Sequence, residues 1–334
     1  MKKLTALALA VAMVCGLTAC SSSGSSSGGS SGGASGASSG GSSGDNYRVA
    51  LLNKQDTNEY LCNTCNKIEA LMEADGGITV ERYDADGDSS AQLQQFEDCL
   101  STGVDFIVVI PMDAQTLTAA VLEANDMGVP VLAADIKLEE GACDYMFVGS
   151  NNYELAYAQG QWLAEHMPEN ARILHFRFPP GSETSNNRYQ GQIDALADSG
   201  RTDYEILATL EFDASQEDAM SKMEDAIQVY GDEFDVILVP ADAAIYGSIS
   251  AMEAANIDVP SKMLVGFDAE DACVKLIKEG KVDMSFKQMQ DDCAAKVYEV
   301  ASTYRDGGSV ADGDKIMYIP GMAVDSTNVD EFLP

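Results

Sequence analysis

The chain of 334 residues carries 54 acidic and 20 basic side chains, a formal net charge of −34. That balance opposes binding to nucleic acid and attraction to anionic lipid. His166 and His175 are the only histidines, neither is next to a plausible nucleophilic Ser or Cys in sequence, and no Walker-type or GxGxxG loop follows the first strand. No enzyme and no nucleotide cofactor is therefore expected.

The chain opens with Lys2 and Lys3 and an apolar run from Leu4 to Ala19. This run is too short for a confident membrane span, which needs roughly 20 apolar residues, and it reads as an export signal over residues 1–19. Leu17-Thr18-Ala19-Cys20 resembles the bacterial lipoprotein box, which implies cleavage before Cys20 and a lipid on the new N-terminal cysteine. Residues 20–45 are that cysteine and a tether, with Ser21 to Gly44 made only of Ser, Gly and Ala. With nothing apolar to bury, such a segment stays flexible. The expectation is a protein lipid-anchored to the cell membrane and facing its extracytoplasmic side.

From Asn46 the pattern alternates. Tyr47 to Asn53 reads as a strand and is followed by a long segment of helical spacing. Ile78 to Tyr83 (strand), Ala91 to Ser101 (helix), Phe106 to Ile110 (strand), Ala114 to Met127 (helix) and Val131 to Ala134 (strand) continue the series. Near-continuous apolar strands separated by helices of ten to fifteen residues indicate a doubly wound parallel sheet. A second series begins with a helix from Tyr153 to His166 and a strand from Ile173 to Phe176. It proceeds through helix Thr184 to Asp198, strand Tyr204 to Leu210, helix Gln216 to Tyr230, strand Val236 to Val239 and helix Ala243 to Ala255. Strand Met263 to Phe267, helix Ala269 to Glu279 and strand Val282 to Phe286 complete it. Helix Cys293 to Tyr304 and strand Ile316 to Ile319 remain, and a chain that crosses back between two lobes accommodates them.

Cys62, Cys65, Cys99, Cys143, Cys273 and Cys293 form an even set, which in an exported protein allows disulfides. Cys62-x-x-Cys65 suggests zinc or redox chemistry, yet no second CxxC or His lies at ligand spacing and both residues fall in a helical pattern. The expectation is no metal, with the cysteines as buried thiols or a structural disulfide.

Five stretches are similar to the type I periplasmic binding proteins for sugars, in particular the glucose/galactose- and ribose-binding branch. They are Val104-Asp105-Phe106-Ile107-Val108-Val109-Ile110-Pro111, Gly128-Val129-Pro130-Val131-Leu132-Ala133-Ala134-Asp135, Phe147-Val148-Gly149-Ser150, Val265-Gly266-Phe267-Asp268, and the tail from Val324 to Phe332. The resemblance implies an α/β fold of two Rossmann-like lobes joined by a multi-strand hinge. One lobe would take residues 46–149 plus 290–318, and the other 150–289 plus 319–334. It implies a monomeric substrate-binding lipoprotein of an ABC importer. Such a protein would capture a small molecule, a monosaccharide or its derivative, and deliver it to permease subunits. The alternative partner is a membrane sensor, a histidine kinase or chemoreceptor.

Residue by residue, the loop from Lys54 to Tyr60 resembles the family's first binding loop, with Asn58 as a polar contact and Tyr60 as a stacking face. Asp135 matches the polar residue ending the fourth strand. Pro180 to Arg188 resembles the segment that supplies a binding arginine: Arg188 with Gly191 keeps its RxxG spacing, and Thr184 stands in its loop. Phe212, with a possible slip to Ala214, would be the opposing stack, Asp268 a hydroxyl acceptor, and Gln288 an amide contact at the second crossover. Asp242 fits better as a helix cap or a supporting residue. Ala241 stands where the sugar binders carry Asn, Ser182 and Thr184 replace larger polar groups, Lys54 adds a charge, and Met167 to Ala171 has no calcium loop. These departures leave a polyol, a modified sugar or an acidic derivative open beside a simple hexose.

Overall fold

The computed structural model describes residues 46–139 and 141–334. The expected export signal, lipidated Cys20 and tether lie outside the described residues. The described chain forms two six-stranded sheets with helices on both faces. The first is built by β1 (Tyr47–Asn53), α1 (Glu59–Asp75), β2 (Ile78–Asp84), α2 (Ser89–Thr102), β3 (Phe106–Val109), α3 (Ala114–Met127), β4 (Val131–Ala134) and β5 (Met146–Gly149). The second is built by α4 (Asn152–His166), β6 (Ala171–Arg177), α5 (Glu183–Asp198), β7 (Tyr204–Glu211), α6 (Gln216–Tyr230), β8 (Val236–Leu238), α7 (Asp242–Ala254), β9 (Met263–Asp268), α8 (Asp271–Lys278) and β10 (Met284–Gln288). The chain then returns: α9 (Gln290–Arg305) packs on α1, β11 (Ile316–Tyr318) joins the first sheet, and β12 (Gly321–Asp325) joins the second.

The strand orders are β11-β5-β4-β3-β1-β2 and β12-β10-β9-β8-β6-β7. Each strand therefore has a counterpart at the same place in the other sheet, β4 with β9 and β5 with β10. All neighbours are parallel except β12, which runs antiparallel to β10. The chain passes between the sheets three times, after β5, after β10 and after β11.

Side-chain alternation divides each sheet between two cores. Along β1, Val49 and Leu51 join the core under α1 and α9, whereas Ala50 and Leu52 join the one under α2 and α3. In the second sheet Leu174 and Phe176 face α6, α7 and α8, and Ile173 faces α4 and α5. β3, β4 and β5 are buried at every position, which is why they read as unbroken apolar runs. Asn58, Asp88 and Asp113 cap α1, α2 and α3 by accepting hydrogen bonds from first-turn N–H groups.

Element bounds shift from the sequence expectation by one to three residues in several places, and three differences bear on the fold. α8 starts at Asp271 rather than Ala269, because Asp268 and Ala269 have φ of 108° and 46° and form a strained turn outside any helix. β10 runs two residues later than expected, since Met284 pairs with Val265 and Val282 lies on the approach to the strand. β12 was not expected at all: only Val324 in it is buried, so it has no apolar alternation to read.

A buried polar chain ties the second lobe together behind its strand ends. Gln192 Nε2 donates to Gln159 Oε1 (2.6 Å), and Gln159 Nε2 donates to the carbonyls of Val239 (3.0 Å) and Gly266 (2.7 Å). His175 Nε2 lies 2.7 Å from Gln192 Oε1. An amide oxygen only accepts, so the proton sits on Nε2. Burial pushes the His175 pKa down to about 4. Side chains on α4, α5 and β6 thereby set the backbone positions at the ends of β8 and β9.

Candidate functional site

The carboxyl ends of parallel strands leave an uncovered crevice in open α/β sheets. In the first lobe those ends carry Asn53 on β1, Lys54 after it and Asp135 after β4. In the second they carry Pro240 to Asp242 after β8, Asp268 on β9 and Gln288 on β10.

Arg188 is the hub of the second lobe's contribution. It sits one turn into α5, only 6% exposed. Nε donates to Asn152 Oδ1 (2.9 Å), Nη1 donates to the Pro240 carbonyl (2.7 Å), and Nη1 lies 3.6 Å from Asp268 Oδ1. Its guanidinium carbon is 4.0 Å from the centroid of the Phe267 ring, a cation–π contact that flattens the group against β9. Gly191 explains the RxxG spacing: a Cβ there would come within 2.5 Å of the Tyr153 carbonyl, so its absence lets α5 lie close on α4 and bring Arg188 to Asn152.

Asp268 accepts from Gln288 Nε2 (2.7 Å), and Gln288 is itself 2% exposed. Burial drives the Asp268 carboxyl well above the usual carboxylate range, and the neighbouring Arg188 cation opposes that shift. In the first lobe the Tyr60 hydroxyl donates to Asp135 Oδ1 (3.2 Å). Burial likewise raises the Asp135 pKa, while Arg188, Tyr60 and Lys54 hold it down and Glu183 pushes it further up. Arg188 and Glu183 belong to the second lobe and Asp135 to the first, so the two sets of strand ends lie within electrostatic reach. Burial also lowers the Lys54 pKa, opposed by Asp135.

Asp242 has a supporting role. Its Oδ1 accepts from the Phe267 N–H (3.1 Å) and Ser285 Oγ (2.7 Å), and its Oδ2 accepts from the Glu270 N–H (2.9 Å). Gly266 makes room for it, since a Cβ at 266 would stand 2.5 Å from Asp242 Oδ1. These bonds hold the strained turn at 268–269 and so fix where the Asp268 carboxylate points. Glu270 accepts from the Tyr246 hydroxyl (3.0 Å), and its pKa, raised by burial, is raised further by Glu59 of α1. The acidic first turn of α1 thus faces the acidic start of α8.

The structure brings together Tyr60 with Asp135, and Arg188 with Asp268 and Gln288. Asn58 spends its side-chain oxygen on the α1 cap, accepting from the Leu61 N–H (3.0 Å). Thr184 lies half-buried in the first turn of α5. Phe212, expected as the opposing stack, is 1% exposed, with its ring edge-on to Phe176 and stacked on Phe178 in the second lobe's core cluster. The six cysteines are free thiols. Among the described residues no group of three His, Cys, Asp or Glu is arranged to hold a metal ion, and no helix is long and apolar enough to cross a membrane. Sequence reasoning missed Asn152, Glu183 and Phe267 as neighbours of Arg188. The resemblance of Pro180 to Arg188, with its RxxG spacing, pointed to that corner of the fold without naming them.

The family profile described as a periplasmic binding protein domain matches residues 49–309. The ribose import binding protein of Bacillus subtilis is 24% identical over 234 residues, which cover 70% of this chain and 74% of that protein. The D-xylose-binding periplasmic protein of Haemophilus influenzae is 28% identical over 244 residues, covering 71% and 69%. Among solved structures, an ABC transporter periplasmic solute-binding protein from Actinobacillus succinogenes with bound D-allose superposes with a TM-score of 0.78 at 21% identity. That match covers 85% of this chain and 99% of the other, and it speaks to the fold.

Proposed function

The chain belongs to the periplasmic binding protein family, and from that premise we propose that its two lobes close over a monosaccharide or neutral sugar derivative outside the cytoplasmic membrane. The observation that carries this reading is the set of planar polar groups at the strand ends. Arg188, Asp268 and Gln288 stand on one side, and Asp135 and Tyr60 on the other. Vicinal hydroxyls each offer a donor and acceptors, and a carboxylate, an amide and a guanidinium in fixed orientation match such pairs. Asn58 and Thr184 would add contacts from the first turns of their helices. Residues 46–149 with 290–318 would then move against 150–289 with 319–334 about the three crossovers, with the ligand favouring the closed arrangement.

The relatives named for ribose and xylose support a pentose- or hexose-sized ligand. The acidic groups at the strand ends weigh against an acidic one. In this reading Cys20 carries the lipid, the tether of residues 20–45 holds the unit near the bilayer, and the closed form docks as a monomer on the permease of an ABC importer. Thermal-shift screening of the unit from Asn46 to Pro334 against pentoses, hexoses, polyols, sugar acids and amino acids tests the ligand class. A ligand at about 100 times its Kd adds about 2.7 kcal/mol of stability. A response to non-carbohydrates with none to sugars or polyols would refute the reading.

A further inference from the structure

We propose that Asn152 and Glu183 form a positioning pair that orients Arg188 and keeps its outer edge available. The geometry is directional. Asn152 is 3% exposed and begins α4 directly after the first passage between the sheets. Its Oδ1 accepts from Arg188 Nε (2.9 Å), and its Nδ2 donates to Glu183 Oε2 (3.3 Å). Glu183 Oε1 accepts in turn from Asn187 Nδ2 (2.6 Å). A guanidinium can only donate and an ionised carboxylate can only accept, so the Asn152 amide has one orientation that satisfies both neighbours.

The amide also separates two groups that would otherwise pair. A direct Arg188–Glu183 ion pair would turn the guanidinium toward α5 and spend its fork there. With Asn152 between them, Glu183 stabilises the cation through the amide. Nε and Nη1 are held by Asn152 and Pro240, and Nη2 has no protein hydrogen bond among the described residues. Asn151, the residue before, is the α4 cap and accepts from the Glu154 N–H, so Asn152 is not needed as a cap.

The consequence for binding rests on the sugar reading, whereas the orientation of Arg188 does not. The test uses the full chain labelled with 15N-arginine, with the Arg188 Nε–H signal assigned by its loss in Arg188→Lys. In the unaltered protein that proton should exchange slowly. In Asn152→Ala it should exchange rapidly, and affinity for whichever of ribose, xylose or allose the protein binds should fall about tenfold or more. The double variant Asn152→Asp with Glu183→Gln moves the charge but keeps every donor opposite an acceptor, including the bond from Asn187. It should restore both readouts, which a loss of packing alone would not allow. If Asn152→Ala does not fold, Glu183→Ala frees the amide from its far end and should loosen the same signal. Unchanged Nε–H protection in the single variants, or a folded double variant no better than Asn152→Ala, overturns the proposal. Recovery of the signal without binding of any of the three sugars upholds the positioning pair and counts against the sugar reading.

Discussion

Asp135 and Asp268 stand at equivalent points of the two lobes: each closes the third strand of its sheet order, β4 in one and β9 in the other. Each has positive φ, 61° and 108°, a conformation that costs a non-glycine residue of order 1–3 kcal/mol. Each offers Oδ1 to one neutral donor, Tyr60 or Gln288. Strain and burial at both members of a pseudo-symmetric pair accord with the proposed role of both carboxyl groups in holding a ligand. Asp268→Asn should weaken sugar binding by about 1.5–3 kcal/mol, the worth of a charged hydrogen bond. The same change should leave the melting temperature of the unliganded protein equal or higher, because a buried carboxylate with a raised pKa is replaced by a neutral amide. Calorimetric titration beside a thermal melt separates the two effects, and an equal loss in both would assign Asp268 to the fold.

Arg188→Ala should cost about 2–4 kcal/mol of binding, through lost charge-assisted bonds and an Asp268 carboxylate left without its cation. Arg188→Lys should recover little, since a lysine has no planar fork to reach Asn152 and Pro240 together. Titration with the sugar identified by screening decides, and a lysine variant with unchanged affinity would remove the bidentate requirement.

Much of the lobe architecture was legible because parallel strands are covered on both faces and become short apolar runs, as in Phe106–Val109 and Val131–Ala134. Gly321–Asp325 was not legible, since an edge strand with one buried side chain lacks any such run. The break before α8 was hidden because Asp268 and Ala269 look like ordinary helix-start residues, and their strained turn is held by tertiary bonds, from the Ala269 N–H to Ser285, the Glu270 N–H to Asp242, Gln288 to the Asp268 carboxyl and Lys287 to the Ala269 carbonyl. In the site, Arg188 was legible from the resemblance of Pro180 to Arg188 to the family's arginine-bearing segment, and its spacing to Gly191 is a sequence trace of how closely α5 lies on α4. Asn152 left no such trace. The packing of Phe212 was not legible either, because an aromatic just past a strand end can turn inward as easily as outward, and here Phe178 stacks on it.

Asp135, Glu183, Asp268 and Glu270, with Glu59 opposite, face Arg188, Lys54 and Lys287 at the strand ends. Carboxylates outnumber cations in this group, and Asn152 and Pro240 already hold two of the Arg188 nitrogens. A glucuronate or galacturonate should therefore bind more weakly than glucose or galactose by about 1.4 kcal/mol or more, a factor of about ten. Paired titrations at low and high salt check this, with the gap narrowing as salt screens the field. Tighter binding of either acid would instead make Lys54 the anion partner.

Cys20→Ser should release the protein from the membrane fraction if, as the resemblance of residues 17–20 to a lipoprotein box implies, that sulfur is the site of lipid attachment. Fractionation followed by detection of the chain in pellet and supernatant gives the answer. Retention of the variant in the pellet would require another anchor.

His175 links the stability of the second lobe to pH. Burial lowers its folded pKa from 6.5 to about 4, so between those values the unfolded chain binds a proton that the folded chain does not. The stability it contributes is complete above pH 6.5 and is lost as pH falls toward 4, about 3 kcal/mol in all. Asp242, which burial pushes up to about 7, acts with the opposite sign in the same range, gaining stability as pH falls. The informative quantity is therefore the difference between the protein and His175→Gln, a variant that keeps a donor for Gln192 but cannot titrate. Denaturant melts from pH 4 to 7 should show the variant losing less stability on acidification. Parallel pH profiles would mean that His175 takes up its proton in the folded state, through a water or shifted carboxylate at Nδ1, where the described residues provide no partner.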